Sequence, residues 1–172
     1  MKIVIAITGA SGTHLGIKAY EYLPDSFEKY LIYSDSAKIS AQHEKYNILD
    51  DDAIWEGPAS GSFGVDAMIV APCSMNTLAK IACGIADNLV TRAAAVAIKE
   101  GKKLLLAPRE IPLSAIALEN MLKLASINVI IAPPVLGYYS GARSLEAMED
   151  FIIGKWFDLL GIEHDLYKRW GC

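Results

Sequence analysis

This chain lacks a long hydrophobic run. Its opening apolar stretch, Ile3 to Ile7, is far too short to span a bilayer, and it leads into a glycine-rich loop instead of the cleavage site of a secretory signal. No membrane partner is therefore expected. Cysteines are few and odd in number: Cys73, Cys83 and Cys172 show no C-x-x-C or Cys/His ligand spacing, which supports neither a disulfide framework nor a zinc site. A reducing cytoplasm fits that usage. Basic runs are also missing. Sixteen Lys and Arg against twenty Asp and Glu leave a net charge of −4, with no cluster to follow a nucleic-acid backbone, so no nucleic acid is expected as partner.

Apolar residues are what the chain has in abundance. With 53% hydrophobic against 21% charged residues, 172 residues can bury a full core as one domain over 1–172. Mean hydropathy is positive without a membrane segment. Apolar surface buried between subunits explains that, and a homo-oligomer is expected.

Runs rich in Val, Ile and Leu recur at Lys2–Thr8, Lys29–Ser34, Asp66–Ala71, Lys102–Ala107 and Asn128–Ala132, each of a length suited to a strand buried on both faces. Helical spacing lies between them at Thr13–Leu23, Ala37–Lys45, Thr77–Lys99, Leu113–Ala125 and Leu145–Leu160, with a break expected near Gly84–Asp87. Strands alternating with helices predict an α/β fold, a three-layer Rossmann-like or flavodoxin-like open sheet, mostly parallel, with helices on both faces. Ligands bind such sheets beyond the carboxyl ends of the strands. There the sequence places Thr8-Gly9-Ala10-Ser11-Gly12, Ser34-Asp35-Ser36, Pro72-Cys73-Ser74-Met75-Asn76-Thr77, Pro108-Arg109-Glu110 and Pro133-Pro134.

Gly9, Ala10 and Ser11 follow a strand and open a helix, so backbone N–H groups and a hydroxyl can face an anion; a tight turn capped by Ser11 is the alternative. The loop is neither G-x-G-x-x-G nor a P-loop. Ser74, Met75 and Thr77 repeat the pattern after a later strand, as a nucleotide cradle or as helix caps. Glu56–Phe63 is rich in small residues, which fits close approach to a ligand or a plain surface loop. Arg92 and Lys99 share a helix face, where solvated charge is the ordinary outcome. Arg109 and Glu110, between Pro108 and Pro112, read instead as a phosphate clamp with a general acid. His14, His43 and His164 form no catalytic or metal spacing, and Tyr138-Tyr139 can wall a pocket or pack a loop.

In this order, together with Pro58-Ala59-Ser60-Gly61-Ser62, Asp87-Asn88-Leu89, Glu119-Asn120-Met121-Leu122 and the closing Arg169-Trp170, these motifs resemble the UbiX-type flavin prenyltransferases over nearly the whole chain. The resemblance implies metal-independent transfer of a dimethylallyl group from dimethylallyl phosphate to reduced FMN, a homododecamer, and delivery of prenylated FMN to a UbiD-type decarboxylase. It carries FMN contact to Ser11, Ser34, Ser74, Met75, Thr77 and Arg92. Lys99, Arg109, Glu110, Tyr139 and Lys155 are implied as the phosphate group's partners, with Glu44 and Ser11 handling protons. The chain departs from the family in having Lys155 for an Arg and Asn76 for a Lys, and in a short segment between Ser40 and Trp55. Lys supplies a point charge where Arg supplies a fork. A flavin-dependent cysteine decarboxylase, similar at Pro72–Thr77, and a non-catalytic FMN carrier are the competing readings.

Overall fold

The computed structural model describes residues 1–9, 11–34 and 46–169. Six strands, β1 (Lys2–Ile7), β2 (Glu28–Tyr33), β3 (Ile48–Asp50), β4 (Ala67–Cys73), β5 (Lys103–Pro108) and β6 (Ile130–Ile131), form one sheet in the order β3-β2-β1-β4-β5-β6. Every pairing is parallel. Among the described residues, five α-helices connect or follow them: α1 (Thr13–Tyr22), α2 (Met75–Ala82), α3 (Leu89–Lys99), α4 (Ala115–Ala125) and α5 (Leu145–Leu160). The expected three-layer architecture is what forms.

Side-chain alternation along the strands explains the layers. Ile3, Ile5, Ile7, Ile69 and Leu105 face α1 and α5, and pack with Ile153, Trp156 and Phe157. Val4, Ala6, Met68, Val70 and Leu106 face the other way, against α2, α3 and α4 through Leu78, Leu89, Ala94 and Leu124. Both faces are covered, so Ile3–Ile7 of β1 and the whole of β4 must be apolar. Burying each large side chain of this kind contributes roughly 1.5–3 kcal/mol.

Helix boundaries follow local capping. The Thr77–Lys99 segment breaks where expected, near Gly84–Asp87: α2 ends at Ala82 and α3 restarts at Leu89, where Asn88 accepts from the Thr91 N–H and Thr91 returns a bond in a capping box. Ser74, Ser114 and Ser144 cap α2, α4 and α5 through bonds to backbone N–H groups of the first turn. The helix expected at Ala37–Lys45 lies outside the described residues. The final strand is shorter than expected, because Asn128 adopts a left-handed φ of 65° and the Val129 N–H is still bonded to the Leu124 carbonyl of the preceding helix.

One contact sets the height of α1 over the sheet. A Cβ on Gly16 would lie 2.7 Å from Ile7 Cγ1 and closer still to the Ala71 carbonyl oxygen. Only hydrogen fits there. The helix start therefore rides directly above the ends of β1 and β4.

Candidate active site

Strand order reverses between β1 and β4: from β1 the chain runs outward through β2 and β3, then returns to β4 and runs outward the other way. That reversal opens a crevice beyond the strand ends. Thr8, 2% exposed, holds its two walls together. Its hydroxyl donates to the Pro72 carbonyl at 3.2 Å and accepts from the Ser74 N–H at 2.9 Å, while its N–H donates to the same carbonyl at 3.0 Å.

A hollow of about 150 Å³ lies there, lined by Thr8, Gly9, Ser11, Pro72, Cys73, Ser74, Met75, Arg109 and Glu110. Sequence separation between its walls is large, so the sheet alone assembles it. Gly9 and Gly12 have φ of 99° and 84°, in the left-handed region that L side chains avoid. Gly12 is the N-cap of α1 and supplies no side-chain cap, unlike the N-cap residues of α2 to α5. The first N–H groups of α1 thus have no side-chain acceptor from the cap, an arrangement that favours an anion. Arg109 adds a full positive charge: its Nε donates to the Ser11 carbonyl at 3.3 Å. Glu110 accepts from the Ile111 N–H at 3.1 Å through Oε1. Burial pushes the Cys73 thiol up to about 12, only slightly opposed by a backbone hydrogen bond at Leu78, so it enters the wall as a neutral, unreactive group.

The helix starts are not equivalent as anion sites. Asp51, 5% exposed, occupies the start of α3: its carboxylate accepts from the Val90 N–H at 2.9 Å and from Asn88 Nδ2 at 2.8 Å. Its carbonyl accepts from the Leu89 N–H at 2.7 Å. Sequence reading missed both this carboxylate and β3, which leads into it. A three-residue edge strand with two exposed positions carries no periodic signal.

Other site residues of the sequence reading lie elsewhere. Thr77 is buried and engaged in the α2 cap, where its Oγ1 accepts from the Ser74 hydroxyl at 2.9 Å. Ser34 sits at the end of β2 with its N–H bonded to the Ile7 carbonyl at 3.0 Å. Arg92 is exposed on α3, away from the hollow's lining. Lys99 ends α3 and pairs with Glu100. It precedes β5, whose opposite end carries Arg109, and six residues of strand span about 20 Å. Lys99 and Arg109, implied together as partners of the phosphate, thus stand at opposite ends of β5 within one chain, because a helix that feeds a parallel strand ends at that strand's start. Glu56–Phe63 accompanies Lys99: it folds into two single 3-10 turns, Gly57–Ala59 and Gly61–Phe63, with Gly61 against the Glu100 side chain. Tyr139 and Lys155 line a second hollow of about 210 Å³ between the segment after β6 and α5. Glu44 and Ala10 lie outside the described residues. His14 is exposed and bonds Glu149 at 2.8 Å.

A parallel sheet with a glycine-and-hydroxyl crevice at its switch point defines a flavoprotein-like α/β domain, and the Flavoprotein family model matches residues 1–156. A flavin prenyltransferase UbiX of Helicobacter pylori is 46% identical over 185 aligned positions, covering 99% of each chain. The crystal structure of AnUbiX in complex with FMN and dimethylallyl pyrophosphate superposes with a TM-score of 0.92 at 37% identity, covering 99% of this chain and 97% of that one. A dodecameric FMN-dependent UbiX-like decarboxylase of Escherichia coli gives 0.92 at 36% identity over the whole of both chains. The chain belongs to the UbiX flavin prenyltransferase family. Among the described residues, no helix is long and apolar enough to cross a membrane.

Proposed function

We propose that this protein joins the dimethylallyl group of dimethylallyl monophosphate to reduced FMN, and that the prenylated FMN serves a UbiD-type decarboxylase. The observation that carries this reading is the single hollow in which Arg109 and Glu110 meet Ser11, Ser74 and Met75. The residues present fit a flavin mononucleotide: left-handed glycines, an uncapped helix start and small hydroxyl side chains leave room and donors for a phosphorylated ligand. Gly9, Ala10, Ser11, Ser34, Ser74, Met75, Thr77 and Arg92 would hold it. Reduced FMN supplies the nucleophilic nitrogen 5 and carbon 6 across which the new ring closes.

The chain's own residues serve the departing group. As the allylic carbon–oxygen bond breaks, its electron pair leaves with phosphate, and a guanidinium at Arg109 offsets the growing charge. Glu110 donates the proton that makes phosphate the better leaving group. Lys99, Tyr139 and Lys155 complete the phosphate's partners, while Ser11 and Glu44 accept and return protons during ring closure. Apolar walls keep water from the allylic cation.

Within one chain these residues occupy separate places, and a second copy can supply Lys99 and Arg92 to the hollow of the first. Exposed apolar side chains support such an assembly. Ile111, Ile116 and Leu122 are 89%, 72% and 71% exposed. We assign the chain as a single domain of a homododecamer in the cytoplasm. A cysteine decarboxylase would need a substrate clamp for carboxylate, whereas Arg109-Glu110 offers charge suited to phosphate.

Anaerobic incubation with reduced FMN and either the mono- or the diphosphate donor, followed by mass spectrometry of the released flavin, tests the reading. A flavin heavier by one five-carbon isoprenoid unit is expected with the monophosphate. Unaltered flavin with both donors overturns it, and decarboxylation of a cysteine substrate would establish the competing enzyme. Bound but unaltered flavin with no turnover of either kind would leave a carrier.

A further inference from the structure

The second hollow has a back wall that the chain's last helix builds with help from beyond its own end. After α5 the chain turns at Gly161 and returns along the helix, so that Ile162 is buried and His164 and Tyr167 pack on it. One carboxylate gathers this return segment. Asp158 accepts from His164 Nε2 at 3.1 Å, from Arg169 Nη2 at 2.8 Å and from the Tyr167 hydroxyl. The Leu166 N–H donates to His164 Nδ1 at 3.2 Å, which leaves the ring proton on Nε2, facing Asp158. Lys155, one turn back on the same helix, has its Nζ 3.9 Å from Asp158 Oδ2.

Two routes lead from Asp158 to the hollow. The first is electrostatic. Three closer donors take up the carboxylate, so Lys155 is held near it at a distance too long for a hydrogen bond and keeps its charge for another anion. The second is steric. Tyr167 meets Phe151 edge-on with ring centroids 4.9 Å apart, and Phe151 meets Tyr139 edge-on at 5.7 Å. A Cβ on Gly154 would come within 2.6 Å of the Tyr167 ring, so the helix is notched where the ring lies. Phe151, Tyr139 and Lys155 all line the hollow, while Asp158 and Tyr167 do not.

We infer that Asp158 is a positioning residue for the phosphate partners: by clasping Tyr167, His164 and Arg169 it fixes both the Lys155 ammonium and the Phe151–Tyr139 wall. This rests on the prenyl-transfer reading only in the identity of the ligand. Asp158 touches neither substrate nor flavin and acts through Lys155 and Tyr139.

The test is a titration of the FMN-loaded protein with dimethylallyl monophosphate by calorimetry, with FMN affinity measured separately by fluorescence quenching. Asp158→Asn is expected to raise the dimethylallyl phosphate Kd about tenfold, the loss typical of removing a charged hydrogen-bond partner, with FMN affinity within twofold. In a Lys155→Ala background, the loss from Asp158→Asn should shrink to what the Phe151–Tyr139 wall contributes. An unchanged Kd in Asp158→Asn, or a loss undiminished in that background, overturns the inference. Should Asp158→Asn fail to fold, Tyr167→Phe retains the ring packing and removes one donor, and an unchanged Kd there overturns it equally. A wild-type protein that binds dimethylallyl phosphate yet forms no prenylated flavin overturns the activity reading, while the same titration still decides the role of Asp158. Absence of binding by the wild type overturns both.

Discussion

Arg109 Nε lies 3.3 Å from the Ser11 carbonyl oxygen, joining turns 98 residues apart in the chain. The bond uses one guanidinium N–H of a side chain that lines the hollow, leaving the rest of its fork for a ligand. A lysine could reach the carbonyl or a ligand, but not both in fixed geometry. Arg109→Lys should raise the KM for dimethylallyl phosphate about tenfold and Arg109→Ala roughly a hundredfold, measured by steady-state kinetics. Equal KM values in all three proteins would remove Arg109 from phosphate binding.

Glu110 lines the same hollow beside that cation. Glu110→Gln preserves shape and loses the proton. FMN affinity should stay within twofold while the prenylation rate drops by ~10²–10⁴-fold, the usual contribution of a general acid. Single-turnover kinetics read it, and full activity in the variant would eliminate Glu110 as proton donor.

Gly16 lets α1 settle onto the ends of β1 and β4. Gly16→Ala places a methyl where Ile7 and the Ala71 carbonyl already are, and overpacking should cost about 3 kcal/mol. That corresponds to a Tm lower by roughly 10 °C. Because the helix must rise, FMN affinity should fall as well. A Tm within 2 °C of the wild type, by roughly the same conversion, would mean the contact is not tight.

Cys73 is buried and its thiol is pushed up to about 12 by desolvation, whereas Cys83 is exposed. At pH 8 the folded protein treated with iodoacetamide should therefore be alkylated at Cys83 and spared at Cys73, as peptide mass mapping would show. Denaturation should expose Cys73 to the reagent. Comparable labelling of both in the native state would contradict the burial.

Legibility in the sequence tracked how local each cause is. Strands β1, β4 and β5 were plain because burial on both faces makes every position apolar after the leading lysine of β1 and of β5. Residues at strand ends, from Gly9 to Glu110, could be grouped because a parallel sheet puts all its carboxyl ends on one edge. Lys99 lay outside the reach of that rule: it sits at a helix end, and its position depends on which way the connection runs, not on its own surroundings. β3 escaped notice because Ile48–Asp50 is an exposed edge of three residues. Asp51 and Asp158 were invisible for a deeper reason. Their partners stand 37 to 39 and 6 to 11 residues away, respectively, in spacings set by tertiary packing, and no periodic pattern encodes such a meeting.

Asp51 has a consequence for ligand choice. By lodging its own carboxylate at the start of α3, the chain already neutralises that pole of the helix and leaves no vacancy for a stray phosphate. The glycine-led start of α1 carries no such group at its cap, so a phosphate reaching this edge should settle there and not at α3.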